Sequence, residues 1–142
     1  MNKLYDIEVL AQTIYGESRG EWNYLEGGLS PLIAVGNVVV NRLRQQTWYG
    51  KSIEEVCRKP QQFSCWNKGD KNLQAIMILA HEKLNSVYNT CLRVAEGVLY
   101  KDWPDLTKGS THYCSTFLEQ KPFWATGLSP QVKIGHHLFF KI

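Results

Sequence analysis

The sequence predicts a mostly helical α+β domain with a small β element near its C-terminus. Apolar residues recur at helical spacing over most of the stretch from Leu4 to Leu99. Serine-proline and serine-x-x-glutamate signals mark helix starts within that stretch. Beyond Leu99 the helical pattern fades, and Pro104, Gly109, Pro122, Gly127, Pro130 and Gly135 divide the chain into short runs. A length of 142 residues fits one domain, 1–142, long enough to bury a core without staples or metals.

In the first helix Leu4, Ile7, Leu10, Ala11 and Ile14 share a face, and Gly16 and Gly20 are expected to end it near Glu17. Ser30 is the expected cap of the second helix, with Pro31 in its first turn. From Leu32 to Leu43 the chain is apolar nearly all round, which suits the centre of a core. The Val38-Val39-Val40 run also fits a strand, but its length and capping favour helix. Ser52 to Arg58 reads as a short helix in which Ser52 and Glu55 form a capping box. Lys59 to Asp70 reads as a loop. Asp70 or Asn72 opens a further helix with Leu73, Ile76, Met77, Ala80 and Leu84 on one face. Another runs from about Ser86 to Leu99, with Tyr88, Cys91, Ala95 and Leu99 inward. Gly109–Ser115 and Gln131–Lys141 read as strands, the second bent at Gly135.

Charge and composition exclude several classes of function. The formal net charge is +3, and no Lys/Arg block is dense enough for a nucleic-acid tract. No segment has the ~18 consecutive apolar residues of a membrane span. The first ten residues carry Lys3, Asp6 and Glu8, unlike the apolar core of a signal peptide. Synthesis in the cytoplasm is therefore expected. The four cysteines form no Cys-x-x-Cys pair, so buried free thiols are the expectation, with a Cys57–Cys65 disulfide as the alternative. His112, Cys114, His136 and His137 match no zinc spacing, and neither a metal nor another cofactor is expected.

Glu17 is the candidate catalytic residue. Leu10, Ile14 and Glu17 are spaced i, i+4, i+7, so the carboxyl emerges at the edge of the apolar face. Burial, the expected helix end, and Glu21 and Glu26 nearby would all favour its protonated form. A carboxylic acid that keeps its proton can protonate a glycosidic oxygen, as in lysozyme. The alternative is a solvated residue at a helix end.

Tyr15-Gly16-Glu17-Ser18-Arg19-Gly20-Glu21 resembles the signature of the SleB-like cell wall hydrolases, which include spore-cortex-lytic enzymes. The likeness continues through Ile33–Arg42, Gln62–Asn67, Gly109–Tyr113 and Ile134–Phe140, in the family's order. The resemblance implies a lysozyme-like, lytic-transglycosylase-like fold and peptidoglycan as substrate. It implies Glu17 as the acid, and cleavage after N-acetylmuramic acid that leaves a 1,6-anhydro ring. A hydrolytic muramidase would need a second group, for which Glu21 and Glu26 are nearest. A non-catalytic glycan-binding module, or a peptidase built on Cys65 and His112, are the rival classes.

The remaining blocks supply candidate glycan contacts. Asn37 and Asn41 lie at i, i+4 on an apolar helix and must find partners, either sugar amides or nearby loops. Phe63, Ser64 and Trp66 suit either a sugar-binding loop or, for the two aromatics, the core. Thr111, His112 and Tyr113 are all candidate contacts, although strand alternation would put Thr111 and Tyr113 together on the cleft, with His112 opposite. Trp124, after Pro122-Phe123, would cap a sugar subsite or close the core. In place of a D-P-T-G-G-like turn stands Asp105-Leu106-Thr107-Lys108-Gly109, a departure at the cleft wall. A form without a leader suits a phage endolysin that acts on the wall after release by a holin. It is expected to work as a monomer.

Overall fold

The computed structural model describes residues 2–22, 28–60, 62–79 and 85–142, without the side chains of 19–22. The chain runs α1 (Lys3–Trp22), α2 (Ser30–Gln45), α3 (Ile53–Arg58), a 3-10 turn (Ser64–Trp66), α4 (Lys71–Ile78) and α5 (Ser86–Tyr100). Then follow β1 (His112–Ser115), a second 3-10 turn (Phe123–Ala125), β2 (Val132–Ile134) and β3 (His137–Phe140). The mostly helical α+β architecture with a small C-terminal sheet is the one the sequence predicts. Among the described residues no helix is long and apolar enough to cross a membrane.

α1 packs against α2, α3, α4 and α5. Its inward residues Ile7, Leu10, Ala11 and Ile14 are buried, as their spacing requires, whereas Leu4, expected on the same face, lies in the first turn and is exposed. Each fully buried leucine or isoleucine side chain contributes about 1.5–3 kcal/mol to folding. The helix does not stop near Glu17 but continues to Trp22. Gly16 is there for packing and not as a terminator. A Cβ on it would lie 2.6 Å from Cys65 Cβ, 2.8 Å from Cys65 Sγ and 2.9 Å from Ile76 Cδ1. Glu17 thus sits more than one turn before the helix end, beyond the range of the helix-end field expected to act on it.

α2 runs through the centre of the core, and Leu32, Val35, Val38 and Val39 are essentially inaccessible. The valine run is helical. The cap differs from expectation: Leu29 occupies the position without a side-chain hydrogen bond, and Ser30 is the first helical residue. In α3, Ser52 Oγ accepts from the Glu55 N–H at 3.1 Å, while the Glu55 carboxylate reaches back to the Lys51 N–H at 2.7 Å. The box therefore closes one residue further out than the usual reciprocal pair. Asp70 caps α4 by accepting from the Asn72 N–H at 2.8 Å. Ile76 faces inward, but Met77, expected beside it, is 66% exposed. α4 is only eight residues long and buries a single narrow stripe. Ala80 and Leu84 lie outside the described residues. Asn85 caps α5, whose Cys91 and Ala95 are buried as expected, while Tyr88 and Leu99 are half-buried.

The antiparallel sheet has the order β1-β3-β2, which leaves β1 at an edge. The bend expected at Gly135 is a hairpin turn: Ile134 pairs with His137, and Gly135 has φ +58°. That left-handed conformation is one a glycine adopts at no steric cost. Side chains alternate along β3, so Phe139 joins the helical core while Phe140 packs with Cys114 and Ala125 in a second, smaller core. All four cysteines are buried free thiols.

Candidate functional site

A cleft of about 700 Å³ opens between the C-terminal half of α1 and the free edge of β1. Glu17 is the only carboxylate among the described residues that line it. One carboxylate oxygen accepts from the Cys65 N–H at 2.9 Å and from Ser64 Oγ at 3.3 Å. The other accepts from the Tyr113 hydroxyl. The close approach of the 64–66 turn that delivers the first two donors depends on the missing side chain at Gly16. Burial, then the Glu17 charge and hydrogen bond, hold the Tyr113 phenol well above its usual range, so it stays protonated.

Arg42, which the sequence reading did not single out, forms the floor. It is 7% exposed, donating from Nε to the Thr111 carbonyl at 2.7 Å and from Nη1 to Gln62 Oε1 at 3.0 Å. Its guanidinium lies 5.2 Å from the Tyr49 ring and 4.7 Å from the Phe63 ring. Burial lowers its pKa from 12.5, although a guanidinium keeps its charge in proteins. A charge on a helix apolar nearly all round was the available signal, since a buried cation needs partners.

The predicted site residues divide. Ser64, His112, Tyr113 and Trp124 line the cleft with Glu17. His112 was expected on the opposite side, but β1 is an edge strand and the cleft wraps around it, so both faces contribute. The His112 ring packs 4.9 Å from Trp124 and 6.1 Å from Tyr49. Burial, then Arg42, hold its pKa down to about 4. Thr111, expected on the cleft, is fully buried before the strand starts, its hydroxyl 2.9 Å from His112 Nδ1.

Asn37 and Asn41 are braces and do not line the cleft. Asn37 Oδ1 accepts from the Leu106 N–H at 3.0 Å. Asn41 Nδ2 donates to Asp105 Oδ2 and the Ser110 carbonyl, each at 2.9 Å. Partial burial disfavours the Asp105 charge, but hydrogen bonds from Thr107, Asn41 and the Thr107 and Gly109 N–H groups outweigh it and hold its pKa down. These bonds anchor the 105–110 turn that leads into β1. Phe63 is a core residue, 1% exposed. Trp66 is half-buried away from the cleft, donating from Nε1 to Thr13 Oγ1 at 2.9 Å. Glu21 and Glu26, named for a water-positioning role, lie outside the described residues and side chains. The Cys65 and His112 pairing fails as a nucleophile and base. The Cys65 thiol is fully buried, and burial, then Glu17, push its pKa far up, which disfavours the reactive thiolate.

Residues 29–140 match the cell wall hydrolase family model, and the chain belongs to that family. The Tyr15-Gly16-Glu17 block precedes the matched stretch. The fold is similar to the catalytic domain of the Bacillus cereus SleB protein, at 22% identity and TM-score 0.64, covering 96% of this chain and 89% of that one. It is equally similar to the catalytic domain of the germination-specific lytic transglycosylase SleB from Bacillus anthracis, at 22% identity and TM-score 0.65, covering 99% and 97%. No curated protein sequence matches the chain.

Proposed function

We propose that this protein cleaves the glycan strands of bacterial peptidoglycan between N-acetylmuramic acid and N-acetylglucosamine, as a lytic transglycosylase with Glu17 as general acid and then base. The observation that carries this reading is the Glu17 carboxyl group, the one carboxylate among the described residues of the cleft, held by Cys65, Ser64 and Tyr113. A mechanism that needs a single carboxyl group can run on Glu17 alone.

In the first step the Glu17 acid gives its proton to the glycosidic oxygen, and the bond from that oxygen to the muramoyl C1 breaks. Positive charge develops at C1 and the ring oxygen. The Glu17 carboxylate left behind then takes the proton of the same sugar's C6 hydroxyl. That oxygen bonds to C1, closing the 1,6-anhydro ring and regenerating the acid. The Ser64 and Tyr113 hydroxyls can donate to the carboxylate or accept from the acid, so one cradle serves both states.

Digesting purified peptidoglycan with the wild-type protein and with Glu17→Gln, then weighing the fragments by mass spectrometry, tests this. Anhydromuramic ends from wild type, and a rate loss of at least about 100-fold in Glu17→Gln, are expected. Reducing ends would replace transglycosylation with hydrolysis. Undiminished cleavage by the variant would remove Glu17 from the mechanism, and no cleavage by either protein would favour a glycan-binding module.

A further inference from the structure

Trp48 lines the same cleft as Glu17 yet is 67% exposed, so the core does not account for it. It is nevertheless held in place. The Lys59 ammonium donates to the Trp48 carbonyl oxygen and lies 5.4 Å from the indole. The indole rests on Tyr49, with ring centroids 4.4 Å apart and planes at 33°. Tyr49 is buried and lies against the Arg42 guanidinium at 5.2 Å. The ring series continues from Tyr49 to His112 at 6.1 Å and on to Trp124 at 4.9 Å. Trp48 and Trp124 therefore stand at opposite ends of one aromatic wall. Between them, His112 is the chain neighbour of Tyr113, which holds Glu17. A wall of this kind suits a run of sugar rings, whose apolar faces pack on aromatics, and a rigid plate needs little ordering on binding.

The charge at this end bears on which sugar the wall would take. Lys59 and Arg42 are the Lys and Arg side chains among the described lining residues. Arg42 is buried in the floor, whereas Lys59 is exposed. An ammonium has three donors, and the Trp48 carbonyl takes one. The acids of α3 are engaged elsewhere: Glu55 accepts from the Lys51 N–H at 2.7 Å, and Glu54 pairs with Arg58 at 3.9 Å. Resting on the glycan-cleaving reading above, we infer that the Trp48–Lys59 lip is a distal subsite for a stem-bearing muramoyl residue. The sugar ring lies on the indole, and carboxylates of the peptide stem meet the Lys59 ammonium.

The test compares peptidoglycan carrying intact stems with the same glycan stripped of them by an amidase and capped as the methyl amide at the lactyl carboxyl that the amidase frees, for wild type, Trp48→Ala, Lys59→Met and Lys59→Arg. Wild type is expected to prefer the stem-bearing substrate by roughly threefold or more in kcat/KM, a preference that shrinks as salt screens an exposed cation. Trp48→Ala should raise KM on both substrates by about tenfold, the effect of losing one aromatic anchor, with a smaller change in kcat. Lys59→Met should bring the preference close to unity, and Lys59→Arg should keep it. A role confined to bracing Trp48 would leave the preference in Lys59→Met unchanged and overturn the assignment of the stem. Equal wild-type kcat/KM on both substrates would also overturn it, and an unchanged KM in Trp48→Ala would remove the sugar plate. Cleavage of neither substrate by wild type would instead refute the glycan-cleaving reading itself.

Discussion

His112 couples the cleft to pH. Burial, then the Arg42 charge, lower its pKa to about 4 in the folded protein, against an ordinary value of 6.5. Above pH 6.5 neither the folded nor the unfolded chain holds the proton, and the group leaves stability unchanged. As pH falls from 6.5 to about 4, the unfolded chain takes up a proton that the folded one refuses, so stability declines across that window. Melting temperatures at pH 7.5 and pH 4.5 should therefore differ more for wild type than for His112→Gln. An equal loss in the two proteins would mean that the imidazole is no less accessible to protons in the fold than out of it. The same shift keeps the imidazole neutral near pH 7, so it presents an aromatic face and not a second cation to the cleft.

Among the elements, the contact between α1 and the 64–66 turn positions Glu17, and Gly16 sets its distance. Gly16→Ala puts a methyl group 2.6 Å from Cys65 Cβ, closer than packing allows, so the turn must retreat. The expected cost is about 1–3 kcal/mol of stability, and cleavage should fall because the Cys65 N–H and Ser64 hydroxyl move with the turn. Gly36→Ala is the control on the neighbouring helix. Its new methyl would meet Val98 Cγ2 at 3.3 Å, a tight contact that the gain in helix propensity of about 1 kcal/mol should offset. Chemical denaturation and the cleavage rate of the two variants separate a packing constraint at the site from a general intolerance of Cβ atoms in the helices. If Gly16→Ala behaved like Gly36→Ala, the close approach would not be what holds the donors.

At the scale of the molecule, the site exists where a helical body meets the edge of a small sheet. Glu17 comes from the body and Tyr113 from the sheet, 96 residues apart in sequence. Asn41 and Arg42, adjacent on α2, tie the two halves together by holding the 105–110 turn and the Thr111 carbonyl. Asn41→Ala should cost about 1–3 kcal/mol, because the buried Ser110 carbonyl and the Asp105 carboxylate each lose a donor. Its effect on cleavage should exceed what that destabilisation alone produces at a temperature where the variant remains folded. Cleavage at the wild-type rate by folded Asn41→Ala would show that β1 keeps its place without the brace.

The sequence by itself determined the helices, most of their inward faces and the location of the sheet. Those depend on periodicity, caps and glycine or proline breaks, all read within a few residues of chain. Glu17 was legible from its place on the edge of an apolar face and from the block around it. Tyr113 was expected on the cleft and lies there, but the strand alternation used to place it fails for Thr111 and His112. Tertiary structure decided what periodicity does not encode, namely which groups from distant segments stand opposite one another. It turned Asn37 and Asn41 into braces, placed Phe63 in the core and Trp66 off the cleft, and brought His112 onto the cleft through the exposed edge of β1. It also turned Gly16 from an expected helix terminator into a packing contact. Arg42, Tyr49 and Trp48 acquire their places only when α2 and the loop after it close against Phe63 and the start of β1. A side chain's chemistry depends on its neighbours in space, and in this fold those neighbours come from segments that local patterns cannot pair.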